Sequence, residues 1–180
     1  MGLQNHRASN IGTETMSARI TLRAKDHHAF QADRSDPASE PKGGVIILHA
    51  ISGLTPHIGD VCDQWAAAGY SVIAPSLFDR ITPNLTFAHD AAGSAAGRKA
   101  YAKLTEDGVF KEIDACIGAL DEDLPKVISG FCTGGTWAWI AAAKRDFDAQ
   151  VNFYGSHVAS KLALSPRCPT IMHYGDADYV

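Results

Sequence analysis

Short apolar runs separated by turn residues divide the chain into alternating strand and helix candidates. Val45-Ile46-Ile47-Leu48 carries no polar alternation, the pattern of a central strand covered on both faces. Further strands are predicted at Ser71–Ala74, Val127–Ile128, Val151–Tyr154 and Pro169–Tyr174. Arg19 to Arg23 and the stretch near Phe30 alternate instead, and Lys25-Asp26-His27-His28 between them predicts a hairpin turn. Ile58, Val61, Cys62 and Trp65 fall at helical spacing with Gly69 as a stop, and Val109, Ile113, Ile117 and Leu120 form one stripe ending near Pro125. A third helix is expected from Thr136 onward, where Trp, Ile and Ala run without a breaker. Thr82 to Glu106 is Ala-rich and ambiguous, one or two short helices or a cover over a site. Residues 1–17 are polar and aperiodic and read as a flexible extension, leaving 18–180 as one domain. The alternation of strands and helices predicts an α/β fold with a mostly parallel, doubly wound sheet.

One junction in this pattern carries chemistry. Between the strand at Val127–Ile128 and the following helix lies Gly130-Phe131-Cys132-Thr133-Gly134-Gly135, of the form G-x-nucleophile-x-G. Such a sharp strand-to-helix turn lifts its central side chain out of the sheet, and the flanking positions must be nearly free of side chain. The central residue is cysteine, whose thiolate is favoured by the positive end of the following helix. The Thr133 N–H is then placed to meet an oxyanion formed by attack of Cys132 on a carbonyl. The plainer reading is a Gly-rich turn around a buried, inert cysteine.

Composition narrows the partners. The chain has 180 residues, 46% hydrophobic and 20% charged, with a formal charge of −4. Neither nucleic acid nor an anionic membrane is expected to bind such a surface. Cys62, Cys116, Cys132 and Cys168 are far apart, with no C-x-x-C pair. With no secretory signal or transmembrane run in view, a cytoplasmic protein with reduced thiols is expected. His27 and His28 read as turn residues; no metal or organic cofactor is implied.

From about Arg19 onward the chain resembles the dienelactone hydrolase family, a cysteine branch of the α/β-hydrolase fold. The resemblance rests on Gly130–Gly135, on Ala-Gly-Tyr-Ser-Val-Ile-Ala-Pro-Ser-Leu-Phe-Asp-Arg at 68–80 and on Gly175-Asp176-Ala177-Asp178. Members of that family hydrolyse cyclic enol-lactones from aromatic catabolism, and related ones cleave other esters. The resemblance implies Cys132 as nucleophile acting through a thioester, and Asp178, rather than Asp176, as the acid that orients a histidine. It further implies the N–H groups of Ile51 and Thr133 as oxyanion hole and Arg80 as the holder of a substrate carboxylate. The partner is then a small lactone or ester, and the protein a monomer or small homo-oligomer without cofactor.

The chain departs from the family pattern at two places. Ala50 stands where the family has an acidic residue that interacts with the cysteine. The order nucleophile, acid, histidine also calls for a histidine after Asp178, and the chain given stops at Val180. The expectation is therefore an incomplete α/β-hydrolase domain lacking its last strand and helix, and a 1–180 chain that is itself inactive. His173 reads as structural, His49 as near the site but misordered, His57 as a helix start, and His89 and His157 as loop residues. Two rival readings stay open, a general carboxylesterase or acyl hydrolase and a non-catalytic hydrolase-like binding protein. A phosphate- or dinucleotide-binding module is disfavoured, because G-x-G-x-x-G and a P-loop lysine are both absent.

Overall fold

The structure, a computed structural model, describes residues 17–178. All but one residue of the expected extension over 1–17 lies outside the described residues. Among the described residues seven strands form one sheet: β1 (Ala18–Arg23), β2 (Ala29–Ser35), β3 (Gly44–Leu48), β4 (Ser71–Pro75), β5 (Lys126–Phe131), β6 (Ala149–Phe153) and β7 (Thr170–His173). Their order is β1-β2-β4-β3-β5-β6-β7. β1 and β2 pair antiparallel through the predicted hairpin, β2 joins β4 antiparallel, and β4, β3, β5, β6 and β7 run parallel. This is the mostly parallel α/β sheet that the alternating pattern predicts.

Side-chain alternation across the central strands divides the core in two. Ile46, Leu48, Ile73 and Ile128 meet Val109, Ile113 and Cys116 of α3 (Glu106–Ala119) and Ala138 and Ala141 of α4 (Thr133–Lys144). On the other face Val45, Ile47, Val72 and Ala74 meet Ile58, Cys62 and Ala66 of α1 (Pro56–Ala67). β3 and β4 are buried throughout, as a run without polar alternation requires. α1 does not extend over the far side of the sheet. On its face Phe131, Val151 and Phe153 are only half-buried, and Ile171 and His173 are exposed.

The ambiguous Ala-rich stretch holds one helix, α2 (Ala91–Tyr101), started by Asp90, whose carboxylate accepts from the Gly93 N–H at 2.6 Å. α3 starts the same way, the Thr105 hydroxyl accepting from the Gly108 N–H. It ends at Ala119, earlier than the expected stop near Pro125. α4 begins at Thr133, three residues before the expected Thr136. Its first turn takes in Gly134 and Gly135, poor helix formers held there by close packing against the strands.

Candidate active site

β5 and α4 meet at Cys132, whose φ of 53° and ψ of −116° lie in a region that side chains rarely adopt. Backbone bonds hold it there. Its N–H donates to Phe153 O at 2.9 Å, and its carbonyl accepts from Thr136 N and Ser156 N, each at 3.2 Å. Glycine is demanded on both sides by close approach. A β-carbon on Gly130 would collide with the Gly134 carbonyl, and one on Gly134 with the Leu48 carbonyl at the end of β3. That second contact draws the start of α4 under the β3 end, beside the turn Ala50–Gly53 closed by Gly53 N donating to Ala50 O. Among the described residues neither the Ile51 nor the Thr133 N–H is spent on a backbone carbonyl. Both therefore remain available as donors.

Two tyrosines that sequence reasoning missed belong to this neighbourhood. Tyr101 ends α2, which lies so close to the Ile51 turn that a β-carbon on Gly97 would strike the Ile51 carbonyl. Burial pushes the Tyr101 phenol up, and the neighbouring Cys132 sulfur adds to the shift. Tyr154 follows β6 with a left-handed φ of 43°. Its phenol is raised first by burial, then by Cys132 and by Asp178, so its hydroxyl stands within the field of both groups. A non-glycine residue at positive φ is a costly placement that clusters at functional sites, but nothing in a linear sequence reveals it. Tyr101 was hidden in the Ala-rich stretch without a periodic stripe.

Asp178 is exposed in the turn after β7, its N–H donating to Gly175 O at 3.3 Å, and Asp176 is exposed beside it. Among the described residues no histidine lies within hydrogen-bonding distance of Asp178. His49 is a buried strut: Nδ1 donates to Ala50 O at 2.7 Å, and Nε2 accepts from Leu77 N at 3.0 Å. Burial lowers its pKa to about 4, so it stays neutral. His57 sits in the first turn of α1 with its ring edge toward Phe131. His173 stacks on Phe153, which stacks on Phe131, at ring separations of 4.9 and 4.8 Å. His89 is exposed in the loop before α2. His157 stacks on Tyr101 at 5.8 Å.

Arg80 is engaged elsewhere. Its two terminal nitrogens donate to the Asp26 carboxylate at 2.9 and 3.2 Å, and Nε lies 3.0 Å from Glu112 Oε1 without hydrogen-bond alignment. Glu112 is fully buried and its pKa is raised to about 8, burial outweighing the pull of Arg80. Thus the structure sets Cys132 and Thr133 at the elbow against the end of β3, which leads into the Ile51 turn, and Asp178 within the field of Tyr154, while Arg80 ties the β1–β2 hairpin to α3. An open apolar groove of about 380 Å³ runs along α1, lined by Val61, Gln64, Trp65, Ala68, Phe131 and Phe153; Cys132 does not line it. Among the described residues no group of three or more His, Cys, Asp or Glu is placed to hold a metal ion. Among the described residues no helix is long and apolar enough to cross a membrane.

Comparison with known proteins gives a consistent picture. A family model described as dienelactone hydrolase family matches residues 28–180. A Synechocystis sp. protein named "Putative carboxymethylenebutenolidase" is 31% identical over 120 residues, which cover 63% of this chain and 48% of that protein. Carboxymethylenebutenolidase 1 of Cupriavidus pinatubonensis is 25% identical over 179 residues, covering 91% of this chain and 73% of the relative. The chain thus spans between about half and three quarters of the length of these relatives. A crystal structure titled "Putative Dienelactone Hydrolase", from Klebsiella pneumoniae, superposes with a TM-score of 0.76 at 25% identity, covering 91% of this chain and 74% of its own.

Proposed function

Because the chain belongs to the dienelactone hydrolase family, we propose that it is the catalytic core of a hydrolase that opens a lactone or cleaves an ester through Cys132. The observation that carries this reading is the strained backbone at Cys132, held by hydrogen bonds at the β5–α4 elbow beside two uncommitted amide donors. Strain of this kind, on the order of 1–3 kcal/mol, persists only where the surroundings enforce it.

In this reading the thiolate of Cys132, at the start of α4, attacks the substrate carbonyl. The carbonyl oxygen becomes an oxyanion between the Ile51 and Thr133 N–H groups. Collapse expels the alkoxide or enolate, which takes up a proton, and leaves a thioester on Cys132. Water activated by a histidine then attacks the thioester, releasing the acid and restoring the thiolate. Asp178 orients that histidine, which this reading assigns to residues following Asp178 in a longer polypeptide. That no histidine among the described residues pairs with Asp178, and that the relatives are longer, support the assignment. Arg80 is left out of substrate binding here, since Asp26 and Glu112 already occupy its guanidinium.

Replacing Cys132 by Ala in a polypeptide that includes the relatives' additional length is expected to lower kcat/KM for aryl esters and lactones by at least about a thousand-fold. Hydrolysis within a few-fold of the parent would refute the nucleophile. The 1–180 chain is expected to acylate once and stall; sustained multiple turnover by it would refute the assignment of the base.

A further inference from the structure

The peptide unit between Ala50 and Ile51 carries two groups with different fates. Among the described residues its N–H, on Ile51, is spent on no backbone carbonyl, whereas its carbonyl, on Ala50, is held twice. Gly53 N donates to Ala50 O at 3.1 Å, and His49 Nδ1 donates to it at 2.7 Å. A trans peptide is planar, so its C=O and N–H point in opposite directions. Two donors that fill both lone pairs of the oxygen therefore fix the direction of the N–H as well. The Gly53 bond closes the turn from within; the shorter His49 bond comes from a side chain anchored outside it.

That anchor is built from the sheet outward. His49 follows β3, fully buried, with its ring edge-on to Phe78 at 4.9 Å. Nε2 lies 3.0 Å from Leu77 N, a group that can only donate, so the ring hydrogen sits on Nδ1 and faces Ala50 O. The Leu77 loop is tied down in turn. Ser76 N donates to Gln31 O at 2.8 Å, and the Asp79 carboxylate accepts from Ser76 Oγ, Gln31 N and Asn84 N at 2.7, 2.8 and 2.9 Å. A path of hydrogen bonds thus runs from β2 through Asp79, the Leu77 loop and His49 to the Ala50–Ile51 peptide. Support of this kind, one layer behind the reacting groups, sets how precisely a donor is aimed.

We propose that His49 is a positioning residue for the hydrolysis, its Nδ1–H holding the Ala50 carbonyl so that the Ile51 N–H is aimed at the oxyanion. The inference rests on the reading of Cys132 as nucleophile and of the Ile51 N–H as oxyanion donor. Two reagents separate that aim from the reactivity of the thiol. With p-nitrophenyl acetate the Cys132 sulfur attacks the carbonyl carbon, the oxygen takes up negative charge, and p-nitrophenolate leaves as the carbonyl re-forms. With iodoacetamide the sulfur displaces iodide from the methylene carbon, and no charge develops on the carbonyl oxygen. The ratio of the two rates at Cys132, read by peptide mass, therefore reports the oxyanion donors and cancels changes in thiol exposure.

His49→Gln places its amide near Nε2, keeping a partner for Leu77 N and losing the bond to Ala50 O; His49→Asn places its amide near Nδ1 and does the reverse. His49→Gln is expected to lower the acylation-to-alkylation ratio by about 10- to 100-fold, short of outright loss of an oxyanion donor, and His49→Asn to hold it within about three-fold. A merely structural role would move both rates together and would not distinguish the two variants. A ratio unchanged in His49→Gln, or lowered equally in both variants, would overturn the positioning role. In the parent chain at neutral pH, nitrogen NMR should find the His49 ring proton on Nδ1; a proton on Nε2 would overturn the role without recourse to a variant. If Cys132 of the parent chain is alkylated but not acylated, the nucleophile reading falls and the positioning role with it.

Discussion

At the scale of single residues, the site depends on glycines that hold the nucleophile and a carboxyl that holds the loops. Gly134 and Gly118 make opposite predictions for the same change. At Gly134 an added methyl would collide with the Leu48 carbonyl, whereas at Gly118, exposed late in α3, it would meet nothing within 4 Å. Gly134→Ala is therefore expected to destabilise the protein by about 1–3 kcal/mol and to slow labelling of Cys132. Gly118→Ala should stabilise it by about 0.5–1 kcal/mol. Urea denaturation midpoints moving the same way would contradict the packing described. Glu112 gives a pH signature. It is shut in beneath Arg80, Asp26, His28 and Asp79 and keeps its proton to about pH 8, against an ordinary value of 4.5. Between those limits the unfolded chain has released the proton and the folded chain has not. Stability therefore falls as pH rises through the window. Glu112→Gln should flatten that fall in denaturation curves taken from pH 5 to 8; an unaltered slope would show the carboxyl ionised in the fold.

At the scale of elements, what the sequence revealed depended on whether burial leaves a periodic trace. β3 is plain because a strand covered on both faces needs apolar residues throughout. The glycine spacing around Cys132 marked the elbow because only a tight turn demands it. α2 was obscure because Gly93, Gly97 and its alanines give no stripe; its start depends on the Asp90 cap. The Arg80–Asp26 pair leaves no trace in the sequence because its members lie 54 residues apart in the chain. Tyr101 and Tyr154 reach the site only through tertiary approach. The centre of the sheet should be intolerant accordingly. Ile128 of β5, fully buried between α3 and α4, should cost about 2–5 kcal/mol when truncated to Ala, measured by chemical denaturation. A loss below 1 kcal/mol would mean that this layer is not close-packed.

At the scale of the molecule, the described residues close the sheet with a hairpin at one edge and leave β7 uncovered at the other. β1 and β2 close one side as a hairpin, whereas β7 presents Ile171 and Met172 at 58% and 38% exposure, followed by Tyr174 at 46%. Exposed apolar edge strands invite strand pairing between chains. Ile171→Lys is expected to raise the monomer fraction of the 1–180 chain in light scattering, and no change would argue that this edge is already covered. The centre of the account is Cys132 at the elbow, and trapping its acyl intermediate tests it most directly. After brief mixing of the chain with an activated aryl ester such as p-nitrophenyl acetate, peptide mass spectrometry should find one acyl group, on Cys132. Acylation confined to another residue, with Cys132 free, would contradict it.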